Sequence, residues 1–123
     1  MPVSFSGVRH NNEVLAPTTK TWVTGALSEE KFVDIPVQPG GELLCVSVKN
    51  STSVTIRVKM YNRANDSSDL FTLSSFDVTT GVSGSQLVQG FPVGPYGGKV
   101  GLDPQDDATN GQTAVISVYR ARA

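Results

Sequence analysis

Residues 41–60 constrain this chain most. Leu44, Val46 and Val48 alternate there with Cys45, Ser47 and Lys49. After the polar Asn50-Ser51-Thr52-Ser53, a second run alternates Val54, Ile56, Val58 and Met60 with Thr55, Arg57 and Lys59. A two-residue period gives an extended strand one apolar and one wet face. Two such runs on either side of a short polar turn predict an antiparallel hairpin. A sheet with a single apolar face needs a second layer over it, so the chain is expected to be all-β and two-layered.

Weaker signals along the chain agree. Val3 and Phe5 alternate with serines until Gly7, predicting a short first strand. Arg9-His10-Asn11-Asn12 reads as a polar loop, and Val14-Leu15-Ala16-Pro17 as an edge segment ended by its proline. Residues 20–24 and 32–37 are strand-like, and Pro36 confines the second of these to an edge or a strand end. The stretch 25–31 is expected to be a loop or one helical turn, and residues 61–69 an exposed loop. Along 70–78 the apolar positions change phase near Ser74-Ser75, predicting a bulge or bend. Residues 79–84 form a Gly-rich turn. Leu87, Val88 and Phe91 mark a short strand, after which Gly90, Pro92, Gly94, Pro95, Gly97 and Gly98 force an irregular excursion that Val100 and Leu102 close. Asn110-Gly111 closes a polar loop with a strong turn dipeptide, and residues 113–119 alternate cleanly as the last strand. Seven to eight short strands separated by Gly- and Pro-rich turns predict one antiparallel β-sandwich, or a small jelly-roll-like barrel, spanning residues 1–123. Residues 1–12 are set apart as a possible extended N-terminal arm.

Composition narrows the function. A chain of 123 residues makes one domain with a sizeable core, burying roughly 65–70% of its extended surface. Cys45 is the only cysteine, so no internal disulfide forms and a reducing compartment is the simpler expectation. Ten basic and eleven acidic side chains leave a net charge of −1, which supplies no field for nucleic acid. Neither a basic-then-apolar leader nor an apolar run long enough for a bilayer is found. The chain is therefore expected to be a complete, soluble gene product from Met1, with no membrane partner.

Residues that would carry chemistry are sparse. His10 is the only histidine, and nothing places it beside a nucleophile. Cys45, between Leu44 and Val46, is expected to be a core thiol. One histidine and one cysteine far apart do not make a transition-metal site. Calcium has two candidate loops, Asn65-Asp66-Ser67-Ser68-Asp69 and Asp103-Pro104-Gln105-Asp106-Asp107. The EF-hand spacing fails there, because Ala108 takes a ligand position and Ser117 replaces the bidentate glutamate. Asp34 and Asp77 are the only acids inside strand-like runs and are expected to face solvent or end a strand, not to form a glycosidase pair. Gly94-Pro95-Tyr96-Gly97-Gly98-Lys99 lacks the ending of a phosphate loop. Asn50-Ser51-Thr52 and Asn65-Asp66-Ser67 match glycosylation sequons by chance. Trp22, Tyr61, Tyr96 and Tyr119 are the residues a sugar platform would use, with core or inter-chain packing as the expected role of Trp22. The expectation is no enzyme, no cofactor, no metal, and no catalytic or cofactor-binding residue.

At this point the chain resembles a family. The opening Met1-Pro2-Val3-Ser4-Phe5, the alternating 44–60 and the ending Thr113-Ala114-Val115-Ile116-Ser117-Val118-Tyr119-Arg120 are similar in style to small all-β virion proteins of tailed bacteriophages, of the head decoration (cement) type. The resemblance implies a virion protein made in the host cytoplasm. It would bind the capsid exterior through the major capsid protein or other virion proteins, often as a homotrimer, and reinforce the shell. Residues 1–12 would pair with a neighbour's sheet edge and residues 90–99 would supply a second contact. A carbohydrate-binding module or lectin built on Trp22 and the tyrosines is the alternative, and a phage tail, fibre or baseplate component a further one.

Overall fold

The computed structural model describes residues 13–36, 43–64, 69–80, 85–87, 91–92 and 96–120, with the backbone alone for 85–87 and 91–92. Nine strand segments appear among them: β1 (Glu13–Thr21), β2 (Lys31–Ile35), β3 (Leu43–Asn50), β4 (Ile56–Arg63), β5 (Leu70–Val78), β6 (Ser85–Leu87), β7 (Phe91–Pro92), β8 (Gly98–Pro104) and β9 (Thr113–Arg120). Both β6 and β7 run antiparallel to β3, with the pairing sum shifted by one residue between them, so they fill one position on its edge. Eight strand positions result, in two antiparallel sheets. Sheet A has the order β1-β9-β3-β6/β7 and sheet B the order β2-β8-β4-β5. The all-β, two-layer expectation holds, and no helix occurs among the described residues.

The winding is specific. Strands pair from the chain ends inward: β1 with β9, β2 with β8, β3 with β6 and β7, and β4 with β5. Successive pairs alternate between sheet A and sheet B, and β9–β3 and β8–β4 pairings knit each sheet together. This is a double ribbon rolled into two layers, the connectivity of a jelly roll.

That winding overturns the predicted 44–60 hairpin. β3 pairs with β9, β6 and β7, while β4 pairs with β5 and β8, so the two runs lie in opposite sheets. Leu44, Val46 and Val48 from one layer and Ile56, Val58 and Met60 from the other are all fully buried in one core. Alternation is satisfied equally by a hairpin and by an arch between layers, since both need one apolar face per strand. Loop chemistry decides between them. The Asn50 side chain is buried in the arch, and its Nδ2 donates to Val54 O (2.9 Å) and to Val78 O (3.0 Å). Its Oδ1 accepts from Thr52 N at 2.9 Å. Such bonding holds the chain in its crossing between sheets, and it leaves no Asn50 amide for a glycan.

Other boundaries shift for local reasons. The segment 14–17 and the start of 20–24 merge into one edge strand, β1, which ends at Thr21 and leaves Trp22-Val23-Thr24 in the following loop. Pro17 falls in the register break between Leu15 and Thr18 and does not end the strand. β4 continues to Arg63, because Tyr61 and Arg63 extend its outward parity and Asn62 its buried one. The predicted bulge in β5 is found at Leu73, where Met60 pairs with Ser74 but Tyr61 pairs with Thr72. Asn110-Gly111 is a turn, with Gly111 at φ +88, but it links sheet B to sheet A and forms no hairpin. The strand proposed at Val3–Phe5, His10 and the loop residues 65–68 lie outside the described residues.

Candidate interaction surfaces

One end of the sandwich is closed by polar bonds between three loops. Trp22 follows β1 directly and is fully buried there, so the packing role expected of it holds. Its indole Nε1 donates to Glu29 O at 2.7 Å. Its backbone bonds to the last loop in both directions, with Trp22 N donating to Gln112 O and Gly111 N to Trp22 O. Thr24 N donates to Asn110 Oδ1 at 2.9 Å. Gln112 Oε1 accepts from Ser53 N and Thr109 N, each at 2.9 Å. Backbone groups of all three loops, the exposed Thr24, Ser53 and Thr109 as well as the buried Trp22, are thus paired.

The outer face of sheet B is charged and self-paired. Lys59 meets Asp103 at 2.9 Å and Arg57 meets Asp77 at 2.9 Å. Arg63 and Lys99 flank Asp34 at 3.4 Å and 4.0 Å. Tyr61 OH donates to Glu30 Oε2 at 2.6 Å. Gly101 makes that bond possible, because a Cβ there would strike the Glu30 carboxylate and crowd the Tyr61 ring. Burial and the Glu30 hydrogen bond push the Tyr61 hydroxyl well above its ordinary pKa. The Asp103 hydrogen bond raises Lys59 against the opposing effect of burial. Phe32 lies 6.1 Å from the Tyr61 ring, tilted by 49°, and Lys99 Nζ sits 5.2 Å from the Phe32 centroid. All eight charged side chains on this face therefore have a partner within the chain.

The outer face of sheet A is different. Its outward positions by parity on β3 and β9 are Leu43, Cys45, Ser47, Lys49, Thr113, Val115, Ser117 and Tyr119; Leu43 and Lys49 are exposed, Ser47 is buried and the others are half-buried. On β1, Thr19, Thr21 and Glu13 share this face by register. Among the described residues this face carries two charges, Lys49 and Glu13. Both are exposed, and neither pairs with a described residue.

The sequence candidates do not converge. Cys45 is half-buried on this outer face, which corrects the expected core thiol: its parity on β3 is that of Ser47, not of Val46. Asp34 and Asp77 do face solvent. They lie on opposite edge strands of sheet B, three strand spacings apart laterally and four residues apart in register, about 20 Å in all. Among the described residues no group of three or more His, Cys, Asp or Glu is placed to hold a metal. In the second calcium candidate, Asp103 pairs with Lys59 and Asp106 Oδ1 accepts from the next backbone N–H. The aromatic candidates scatter: Tyr61 lies on one outer face, Tyr119 on the other and Tyr96 in the turn before β8, while buried Trp22 offers no ring face to a sugar. The Phe32–Tyr61 pair was not legible in the sequence, because it forms across β8 between strands 29 residues apart. No family model matches this chain, and no curated protein or solved structure is significantly similar to it.

Proposed function

We propose that this protein is a non-catalytic structural protein of a virion, a decoration protein that binds the outside of a capsid shell and stabilises it by subunit contacts. The observation that carries the reading is the rolled double ribbon, β1·β9, β2·β8, β3·β6/β7 and β4·β5. Viral capsid domains are among those built this way, and so the argument is one of fold-level analogy. Two further features support it. One outer face is electrostatically cancelled within the chain, and the other is nearly free of charge, the composition of a protein-docking core. The candidate acids and the cysteine also lie apart, which favours docking over turnover.

In this reading the partner is the major capsid protein, the location is the virion, and affinity comes from modest contacts repeated over many copies. Residues 1–12 provide one contact by pairing with a neighbour's open sheet edge, whose donors and acceptors lack partners. Residues 90–99 provide another. Tyr96, within that stretch, is 46% exposed, and the prolines there limit the entropy lost on docking.

The test is addition of the purified protein to shells that lack it. Co-sedimentation, a rise in shell melting temperature and density on the shell exterior by electron microscopy are expected. Deletion of residues 1–7 is expected to abolish binding while leaving the isolated chain folded. Shells that neither bind nor gain stability sink the reading, and density on a tail instead moves the protein to the tail, fibre or baseplate.

A further inference from the structure

We infer that the outer face of sheet A is an interface with a second copy of this chain, related by a two-fold axis passing over Ser117. The argument is electrostatic and geometric. All charges on the opposite face are cancelled internally, whereas Lys49 and Glu13 are exposed, opposite in sign and unmatched by described residues. They occupy opposite corners of the sheet. Lys49 on β3 pairs with Val115, and Glu13 on β1 pairs with Tyr119, so β9 separates them laterally and four residues separate them along it. Strand and residue spacings put them about 17 Å apart, well beyond the screening length of about 8 Å at physiological salt. They do not neutralise each other within one copy.

Their midpoint falls on Ser117, which is two residues from Val115 and two from Tyr119 on the strand between β1 and β3. A two-fold axis in the plane between two such faces, perpendicular to the Lys49–Glu13 line, carries each Lys49 onto the other copy's Glu13. Both ion pairs form at once, and no like charges meet. Between the corners the described side chains are uncharged: Ser47 is recessed, and Cys45, Val115, Ser117 and Tyr119 are half-buried around it. This is the self-matching that an isologous contact requires. Four strand positions of about eight residues give roughly 500 Å² per copy, about 1,000 Å² in total, near the lower bound for a specific interface. Association is therefore weak and concentration-dependent in free solution and grows where copies are held close together. The resemblance implies a trimer; this face favours an even number of copies.

Sedimentation equilibrium of the full chain from 10 to 500 µM (concentrations chosen around a roughly 10⁻⁴ M dissociation constant) tests this. A monomer–dimer equilibrium is expected. Lys49→Glu alone or Glu13→Lys alone weakens it about tenfold, because two exposed pairs become two repulsions, and the double reversal restores it. Ser117→Arg, which sets two cations on the axis, abolishes it. Both charge sites are exposed, and circular dichroism confirms that each variant is folded. A wild type that stays monomeric throughout, a trimeric mass, association indifferent to the single reversals, or a double reversal no better than the singles overturns the inference. Shell binding is scored separately. Dimers that bind no shell remove the proposed function and leave this inference standing, and monomers that decorate shells do the opposite.

Discussion

Replacing Asn50 by alanine is the sharpest perturbation of this fold. Asn50 is 2% exposed at the arch where the chain leaves sheet A for sheet B. Its amide nitrogen donates to Val54 O and Val78 O, and its oxygen accepts from the Thr52 backbone. The Thr52 hydroxyl lies 2.7 Å from Asn50 Oδ1 and 2.9 Å from Val54 O, and its single proton serves one of them. Without the Asn50 side chain, the hydroxyl turns to Val54 O. Thr52 N–H and Val78 O are left buried without these partners. Each orphaned group costs about 1–3 kcal/mol, so the variant loses about 2–6 kcal/mol, a large share of the 5–15 kcal/mol typical of a domain. The melting temperature falls by roughly 8–24 °C. Urea unfolding followed by the single Trp22 reads the change as a lower midpoint at unchanged slope. Asn50→Asp is at least as damaging, because it points a carboxylate at two carbonyl oxygens, while the exposed neighbour substitution Ser51→Ala shifts stability by less than about 0.5 kcal/mol. A loss below about 1 kcal/mol in Asn50→Ala, or an Asn50→Asp variant as stable as wild type, refutes the idea that this side chain holds the arch.

Two further outcomes follow from the charged face. Gly98→Ala is expected to cost more than Gly101→Ala. An added Cβ at 98 meets the Tyr61 backbone carbonyl, which moves only with its strand, whereas one at 101 meets the end of the flexible Glu30 side chain. About 3 kcal/mol against about 1–2 kcal/mol is the expected order, and equal urea midpoints would contradict it. Stability should also fall with alkali. Tyr61 and Lys59 both have raised folded-state pKa values, so their contribution is complete below the unfolded values, near 10 and 10.4, and is lost as pH rises through the folded values. Urea midpoints between pH 8 and 11 should stay flat and then drop above about pH 10, with a shallower drop in Tyr61→Phe.

The chain alone determined the strands and their faces. β9 is legible because buried Ala114, Ile116 and Val118 alternate with half-buried Thr113, Val115, Ser117 and Tyr119, and a strand's two-residue period is a local property. The phase change in 70–78 announced the β5 bulge for the same reason. Pairing was not legible. β3 and β4 adjoin in sequence and alternate in step, yet they join different sheets, β3 pairing with β9 and β4 with β8 and β5, and alternation has no term for which sheet a strand joins. The surfaces were equally hidden. Lys59, Arg57 and Arg63 read as ordinary wet positions until β8, β5 and β2 bring Asp103, Asp77 and Asp34 beside them. Only the roll of the double ribbon decided that one face cancels its charge and that the other leaves Lys49 and Glu13 without a partner among the described residues. Charge pairing depends on distance in space, and the sequence records only distance along the chain.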